Sequence, residues 1–232
     1  MTGYQADIAP VAALMGDRGR AAMLTVLLDG RPLAAGELAR TAGVSAQTAS
    51  AHLGRLLDGG LVTVISQGRH RYYRLAGPEV AEVIEALSRI SPAVEVRSLR
   101  QSREARRLHR ARSCYDHLAG EAGVALYAAL IGGGLIEAAA RGAASFDATV
   151  KGEERFGELG IDVGGLRRAR RRFAGECLDW TERRPHLNGA LGAALLSRFL
   201  ELEWLERGKG RGLCVTEAGD KGLADSFGCV LP

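Results

Sequence analysis

The chain has 232 residues, 47% of them hydrophobic and 25% charged, with a formal net charge of +4. This is the balance of a globular protein with room for two compact units, and it excludes a disordered chain. No apolar run approaches the roughly 20 residues that span a bilayer, and the start MTGYQADIAP lacks a basic stretch followed by an apolar one. The expected compartment is therefore the cytoplasm, where Cys114, Cys177, Cys214 and Cys229 would stay reduced. With aromatics at 5% and Gly and Ala abundant, the expected class is mostly α with small β wings (α+β).

Residues 7–28 carry Ile8, Val11, Leu14, Met15, Met23, Leu24, Leu27 and Leu28 at helical spacing, which predicts two helices broken near Gly16-Asp17. A short helix over 35–41 points Leu38 and Ala39 inward and stops at Gly43. Ser45 is suited to cap a second helix, 46–58, with Ala49, Leu53, Leu56 and Leu57 on its inner face, and Gly59-Gly60 ends it. LVTVI and HRYYRL then read as two strands joined by a turn at Gln67-Gly68.

Two short helices, a glycine turn and a basic-tipped hairpin make a winged helix-turn-helix. The start of the second helix offers Ser45, Gln47, Thr48, Ser50 and His52, polar side chains short enough to read base edges from a major groove. Arg55, with Arg69 and Arg71 on the wing, suits phosphates. The plainer alternative, that Ser and Thr only cap and solubilise the helix, fits Ser45 taken by itself.

Residues 33–75, LAAGELARTAGVSAQTASAHLGRLLDGGLV through GRHRYYRL, resemble the ArsR/SmtB family of bacterial repressors. The resemblance spans about residues 10–92. It implies a homodimer that binds a palindromic double-stranded DNA operator and releases it when an inducer arrives. The family's usual metal sites are missing: GELARTAG has no cysteine and GPEVAEVIEALSRIS no histidine. Any sensing would lie elsewhere in the chain.

Three parts are expected: a winged helix-turn-helix domain (1–92), a basic linker helix (93–112) and a C-terminal sensor or oligomerisation domain (113–232). The run VRSLRQSREARRLHRAR carries seven arginines and one glutamate. It reads as a helix with a solvated face, or as an extension of a phosphate-contacting surface; RRARRRF (167–173) is the same kind of signal. Beyond it an internal repeat appears. HLAGEAGVALYAALIGGGLIE (117–137) aligns with HLNGALGAALLSRFLELEWLE (186–206) through matched His, Leu and Gly positions. FDATVKGEERF (146–156) aligns with LCVTEAGDKGL (213–223) through Thr149/Thr216 and Gly152/Gly219. Two winged-helix-like units are inferred, over about 113–161 and 177–229, with middle helices made for packing rather than for reading DNA.

Each repeat is introduced by Cys-x-Asp and then His-Leu-x-Gly, as Cys114, Asp116, His117 and as Cys177, Asp179, His186. Asp116 adjoins His117, whereas six residues separate Asp179 from His186, so His186 is not expected to reproduce the local geometry of His117. Three readings stand. Cys114 and His117, three apart on one helix face, would join Cys177 and His186 around a Zn(II)-like or thiophilic ion. Alternatively Asp116 and Asp179 cap helix starts, Asp179 with Glu182 in a capping box, while the cysteines pack in the core. In the third reading Tyr115, Asp116, Asp179, Trp180, Arg183 and Arg184 line a pocket for an organic effector, the arginines pairing an anion.

A thiol enzyme is disfavoured because Cys114, Asp116 and His117 are chain neighbours and IGGGL (131–135) follows a helix rather than a strand. No catalytic residue is assigned. The expected function is a sequence-specific DNA-binding transcriptional repressor released by an effector in the C-terminal domain, with an effector-independent architectural DNA-binding protein as the rival.

Overall fold

The structure, a computed structural model, describes residues 6–92, 95, 98–139 and 145–231. Two compact units divide the chain, Met1–Leu87 and Ser88–Pro232. Among the described residues no helix is long and apolar enough to cross a membrane.

The first unit runs α1 (Ala9–Met15), α2 (Arg18–Leu27), β1 (Leu33–Ala34), α3 (Ala35–Ala42), α4 (Ala46–Asp58), β2 (Val62–Gln67), β3 (His70–Leu75) and into α5 (Pro78–Ile90). Asp17 caps α2 by accepting from the Arg20 amide at 2.9 Å, which sets the break at Gly16-Asp17. The Arg20 guanidinium turns back to donate to the Ala13 and Leu14 carbonyls, satisfying the end of α1. Gly43, at φ 65°, makes the left-handed exit from α3, and the Ser45 hydroxyl starts α4 by accepting from the Thr48 amide. Met23, Leu24, Leu27, Leu38, Leu53 and Leu56 close the core. The sheet has the order β1-β3-β2, and Gly68-Arg69 form a two-residue turn between paired Gln67 and His70. This is the winged helix-turn-helix that the sequence indicates.

The second unit holds α6 (Leu99–Arg110), β4 (Arg112–Cys114), β5 (His117–Ala119), α7 (Glu121–Gly132), β6 (Ile136–Ala138), β7 (Ser145–Ala148), α8 (Val150–Glu158) and α9 (Val163–Arg168). It continues with β8 (Ala174–Leu178), β9 (Pro185–Asn188), α10 (Gly189–Glu201), β10 (Leu205–Arg207), β11 (Leu213–Val215) and α11 (Glu217–Phe227). Residues 93–94 and 96–97, where the linker was expected to begin, and 140–144, in the first repeat's wing loop, lie outside the described residues. The run RRARRRF is not one solvated face: Arg167 pairs with Asp147 and Glu153, and Arg171 with Asp116.

The repeat is built into the geometry. Helix, hairpin and helix recur as α7-β6-β7-α8 and α10-β10-β11-α11. Thr149 accepts from the Gly152 amide and donates to the Gly134 carbonyl; Thr216 does the same with Gly219 and Glu203. The leading hairpins are exchanged between copies. Strand β8 of the second copy pairs with β7 of the first, giving a sheet β6-β7-β8-β9. Arg112 of the first copy bridges to Gly212 beside β11 of the second. Strand β5 packs on α10 and β9 on α7.

Two expectations are corrected here. ARSCYDHLAG is the hairpin β4–β5, not a helix start: Cys114 and His117 are cross-strand partners around Tyr115-Asp116, with Tyr115 at φ 62° as a tight two-residue turn requires. Cys177 and His186 are cross-strand partners in the same way, because the six-residue excess is taken up in the loop between β8 and β9. His186 therefore does reproduce the pairing of His117, and Asp179 caps a turn rather than a helix.

A Cβ on Gly152 would stand 1.9 Å from the Leu135 carbonyl oxygen, and one on Gly219 2.0 Å from that of Trp204. Gly152→Ala and Gly219→Ala should each cost about 1–3 kcal/mol in urea unfolding. Gly157→Ala, with open space around its Cβ, should be neutral or stabilising by up to about 1 kcal/mol. Equal midpoints for all three would contradict this packing.

Candidate functional site

In the first unit, Ser45, Gln47, Thr48, Ser50 and Arg55 are exposed on α4, and Ala49, Leu53 and Leu56 are buried on its other face. Ser45 is occupied as the cap, its hydroxyl 2.9 Å from that of Thr48. His52 is half-buried against the start of α2, with Nε2 3.8 Å from Asp17, so it faces away from the exposed row. Arg69 and Arg71 are exposed on the hairpin, and so is Arg74, which sequence reasoning passed over and which donates to Thr63.

In the second unit the exchanged hairpins bring Cys114, His117, Cys177 and His186 together, all buried, with one ligand atom from each within 4.8 Å of the others. The two Sγ atoms are 3.9 Å apart, and the imidazoles stack at 5.1 Å between centroids. The helix starts under these rings need glycine: a Cβ on Gly123 would meet the Leu118 carbonyl at 2.4 Å and lie at ordinary contact distance, 3.6 Å, from His186 Cβ. One on Gly192 would meet the Leu187 carbonyl at 2.7 Å and lie 3.2 Å from His117 Cβ. Each histidine thus rests on the other copy's helix.

Electrostatics distinguish the Cys177 thiol from that of Cys229. The hydrogen bond from Cys114, with both imidazoles beside it, holds the Cys177 thiol well below its ordinary value against the opposing effect of burial. Burial alone pushes Cys229 up to about 11. Burial also works against a charged His117, but the hydrogen bond to Asp116 and the Cys177 sulfur outweigh it and raise its pKa.

A carboxylate stands behind each imidazole. Asp116 Oδ1 is 3.3 Å from His117 Nδ1, and Asp179 Oδ2 is 3.6 Å from His186 Nδ1. Asp116 also pairs with Arg171. Asp179 is fully buried and accepts two 2.8 Å hydrogen bonds from the fully buried Arg112, and further ones from the Gly120, Thr181 and Glu182 amides. These partners hold its carboxyl well below the usual range, despite its burial.

Of the residues proposed to line an organic pocket, Asp179, Trp180, Arg183 and Arg184 share one turn, closed by the Asp179 amide donating to the Arg184 carbonyl at 2.9 Å. Asp179 is committed to Arg112, whose guanidinium lies 5.0 Å over the Trp180 ring. Arg183 and Arg184 are exposed. A groove of about 610 Å³ lies instead between α6 and the β10–β11 hairpin, and none of Tyr115, Trp180, Arg183 and Arg184 lines it. Arg112 escaped sequence reasoning because its partner is 67 residues away.

Comparison with known proteins adds a family. Residues 15–65 match the family described as a helix-turn-helix domain. The chain is 46% identical over 214 residues to the uncharacterized HTH-type transcriptional regulator YdfF of Bacillus subtilis (strain 168), covering 92% of this chain and 93% of that one. The chain belongs to the HTH-type transcriptional regulators. Smaller solved structures also resemble it. HlyU from Vibrio cholerae is 31% identical, covering 39% of this chain and 97% of its own, with a TM-score of 0.35. The winged helix-turn-helix domain of Mb0332 from Mycobacterium bovis is 33% identical, covering 38% and 86%, with a TM-score of 0.32.

Replacing Asp179 by Asn should strand the Arg112 charge and cost this regulator about 3–5 kcal/mol of stability. Glu158→Gln, which removes an exposed partner of Arg155, should stay within about 0.5 kcal/mol. Denaturant midpoints that fail to separate the two variants would contradict the role given to Asp179.

Proposed function

We propose that this regulator binds an operator in double-stranded DNA as a homodimer, acts in the cytoplasm as a repressor, and is released by an effector received in its C-terminal domain, residues 113–232. The observation that carries the DNA reading is the exposed polar row Gln47, Thr48 and Ser50 on α4, set on a glycine turn and followed by a hairpin bearing Arg69, Arg71 and Arg74. A helix with that face enters a major groove, where amide and hydroxyl groups match base edges, while the wing arginines take phosphates. A homodimer would set two such helices on the half-sites of a palindrome. The second unit supports the effector half of the reading, because its buried Cys and His side chains are chemistry that a packing domain does not need. Release follows by population shift: an effector that prefers the arrangement unable to hold operator lowers its affinity by that preference.

A duplex selected from random sequence by the full-length protein should bind tightly, and a scrambled duplex should not. Gln47→Ala and Ser50→Ala should each erase about 1–3 kcal/mol of that discrimination. Arg69→Ala and Arg71→Ala should weaken both duplexes alike and lower the salt slope by about 1 each. Equal affinity for selected and scrambled duplex would instead indicate an architectural DNA-binding protein.

A further inference from the structure

We propose that Cys114, His117, Cys177 and His186 form a closed tetrahedral site for a borderline or soft divalent cation of the Zn(II) class, and that this ion is the effector. The second half rests on the proposed reading of residues 113–232 as the effector domain; the site itself does not.

The distances fit. Ligand atoms about 2.0–2.3 Å from a tetrahedral ion stand roughly 3.3–3.8 Å from one another. The sulfurs are already 3.9 Å apart, and all four donors lie within 4.8 Å. Only small side-chain movements bring the set onto one ion.

The unsatisfied atoms fit as well. Nε2 of His117 and both ring nitrogens of His186 are buried without a hydrogen-bond partner, an arrangement that costs stability unless something else takes a lone pair. Asp116 and Asp179 face the opposite nitrogens, Nδ1 in both rings. In His117 the hydrogen bond between Nδ1 and the Asp116 carboxylate fixes the tautomer that leaves Nε2 free to ligate, as the outer partners of metal-bound histidines do; in His186 the Asp179 carboxylate lies beside Nδ1 at 3.6 Å without a hydrogen bond.

Charge balance points to the same conclusion. Arg171 neutralises Asp116 and Arg112 neutralises Asp179, so neither carboxylate offsets a cation at the site. Cysteine binds a metal as its thiolate, so two such ligands would balance the charge of one divalent ion. Sulfur and imidazole donors select Zn(II), Cd(II) or Co(II) over Mg(II) and Ca(II), which require oxygen. Four protein ligands leave no open position, the condition of a structural or sensing ion rather than a catalytic one.

Rival accounts leave atoms over. A disulfide would need the sulfurs at about 2.0 Å and would still abandon both Nε2 atoms. Core packing gives no reason for two stacked imidazoles, each backed by a carboxylate, beside two thiols.

The ligands come as one Cys-His pair from each repeat, so the ion would fasten the two copies together. It would also act on α6. His186 faces Asp179, Asp179 holds Arg112, and Arg112 donates to the Leu108 carbonyl at 3.0 Å in the last turn of that helix.

The test uses full-length, untagged protein stripped by a chelator and titrated with Co(II). The expected result is one ion per chain, with the intense visible bands of tetrahedral cobalt and a thiolate charge-transfer band, both lost when Zn(II) is added. Cys114→Ser and His186→Ala should lose or reshape this spectrum, and Cys214→Ser should keep it. A folded wild-type protein that takes up no Co(II), or holds it with the weak spectrum of octahedral cobalt, would overturn the site. Zn(II) should lower affinity for the selected operator roughly tenfold or more. If Zn(II) binds at one per chain and operator affinity does not change, the ion is no effector and that half of the proposal fails. If the ion binds and no duplex is selected, the DNA reading fails and the site stands.

Discussion

A guanidinium and a carboxylate, both out of reach of solvent, meet where the two C-terminal repeats are joined, and the geometry of the second unit depends on them. Arg112 enters from the first leading hairpin and Asp179 from the loop of the second. Neither charge is tolerable in that setting without the other, since desolvation costs each several kcal/mol before pairing. The pair therefore matters less as a source of stability than as a condition on assembly: only the arrangement that brings these hairpins together satisfies both ions. Asp179 reinforces the condition by accepting from the Gly120 amide at the start of α7 and by closing its own loop through Thr181 and Glu182. Around it, His109 reaches Glu121 with one ring nitrogen and Glu182 with the other, which ties α6 to both repeats.

Once the hairpins are fixed, the repeat supplies the remainder. Each copy's leading hairpin lies beside the other copy's wing, so residues at equivalent positions are drawn toward the centre of the unit. That exchange is why Cys114 meets Cys177 and why the imidazoles stack. Duplication thus converts one Cys-His pair, too small to hold an ion tightly, into a four-donor set. Small residues make the approach feasible: Gly192 admits His117 against α10, Gly123 admits the Leu118 carbonyl against α7, and Gly152 and Gly219 admit the wing carbonyls.

Much of this was legible in the sequence, for identifiable reasons. In the first unit local signals decide the elements: the Ser45 cap, the Gly43 exit and the alternation of HRYYRL each act within a few residues, so the helices and wing fall where the pattern places them. The second repeat was visible through Thr149/Thr216 and Gly152/Gly219, whose spacing encodes a cap and a close approach. What misled was Cys-x-Asp-His, whose short period suits a helix start as well as a hairpin. The turn at Tyr115, with its left-handed backbone, is chosen by the tertiary structure, since nothing in the tyrosine itself asks for it. His186 was misjudged for a related reason: chain spacing measures a loop, whereas cross-strand register measures position, and the insertion changes only the first. Arg112 and the exchange of hairpins are long-range features with no local trace.

The central claim is that two Cys-His pairs, one from each repeat, converge on one divalent ion, and X-ray absorption at the zinc edge of the zinc-loaded, full-length protein tests it most directly. The account predicts a first shell of two sulfurs at about 2.3 Å and two imidazole nitrogens at about 2.0–2.1 Å. A shell of oxygen and nitrogen alone, or of four sulfurs drawn from two chains, would contradict it.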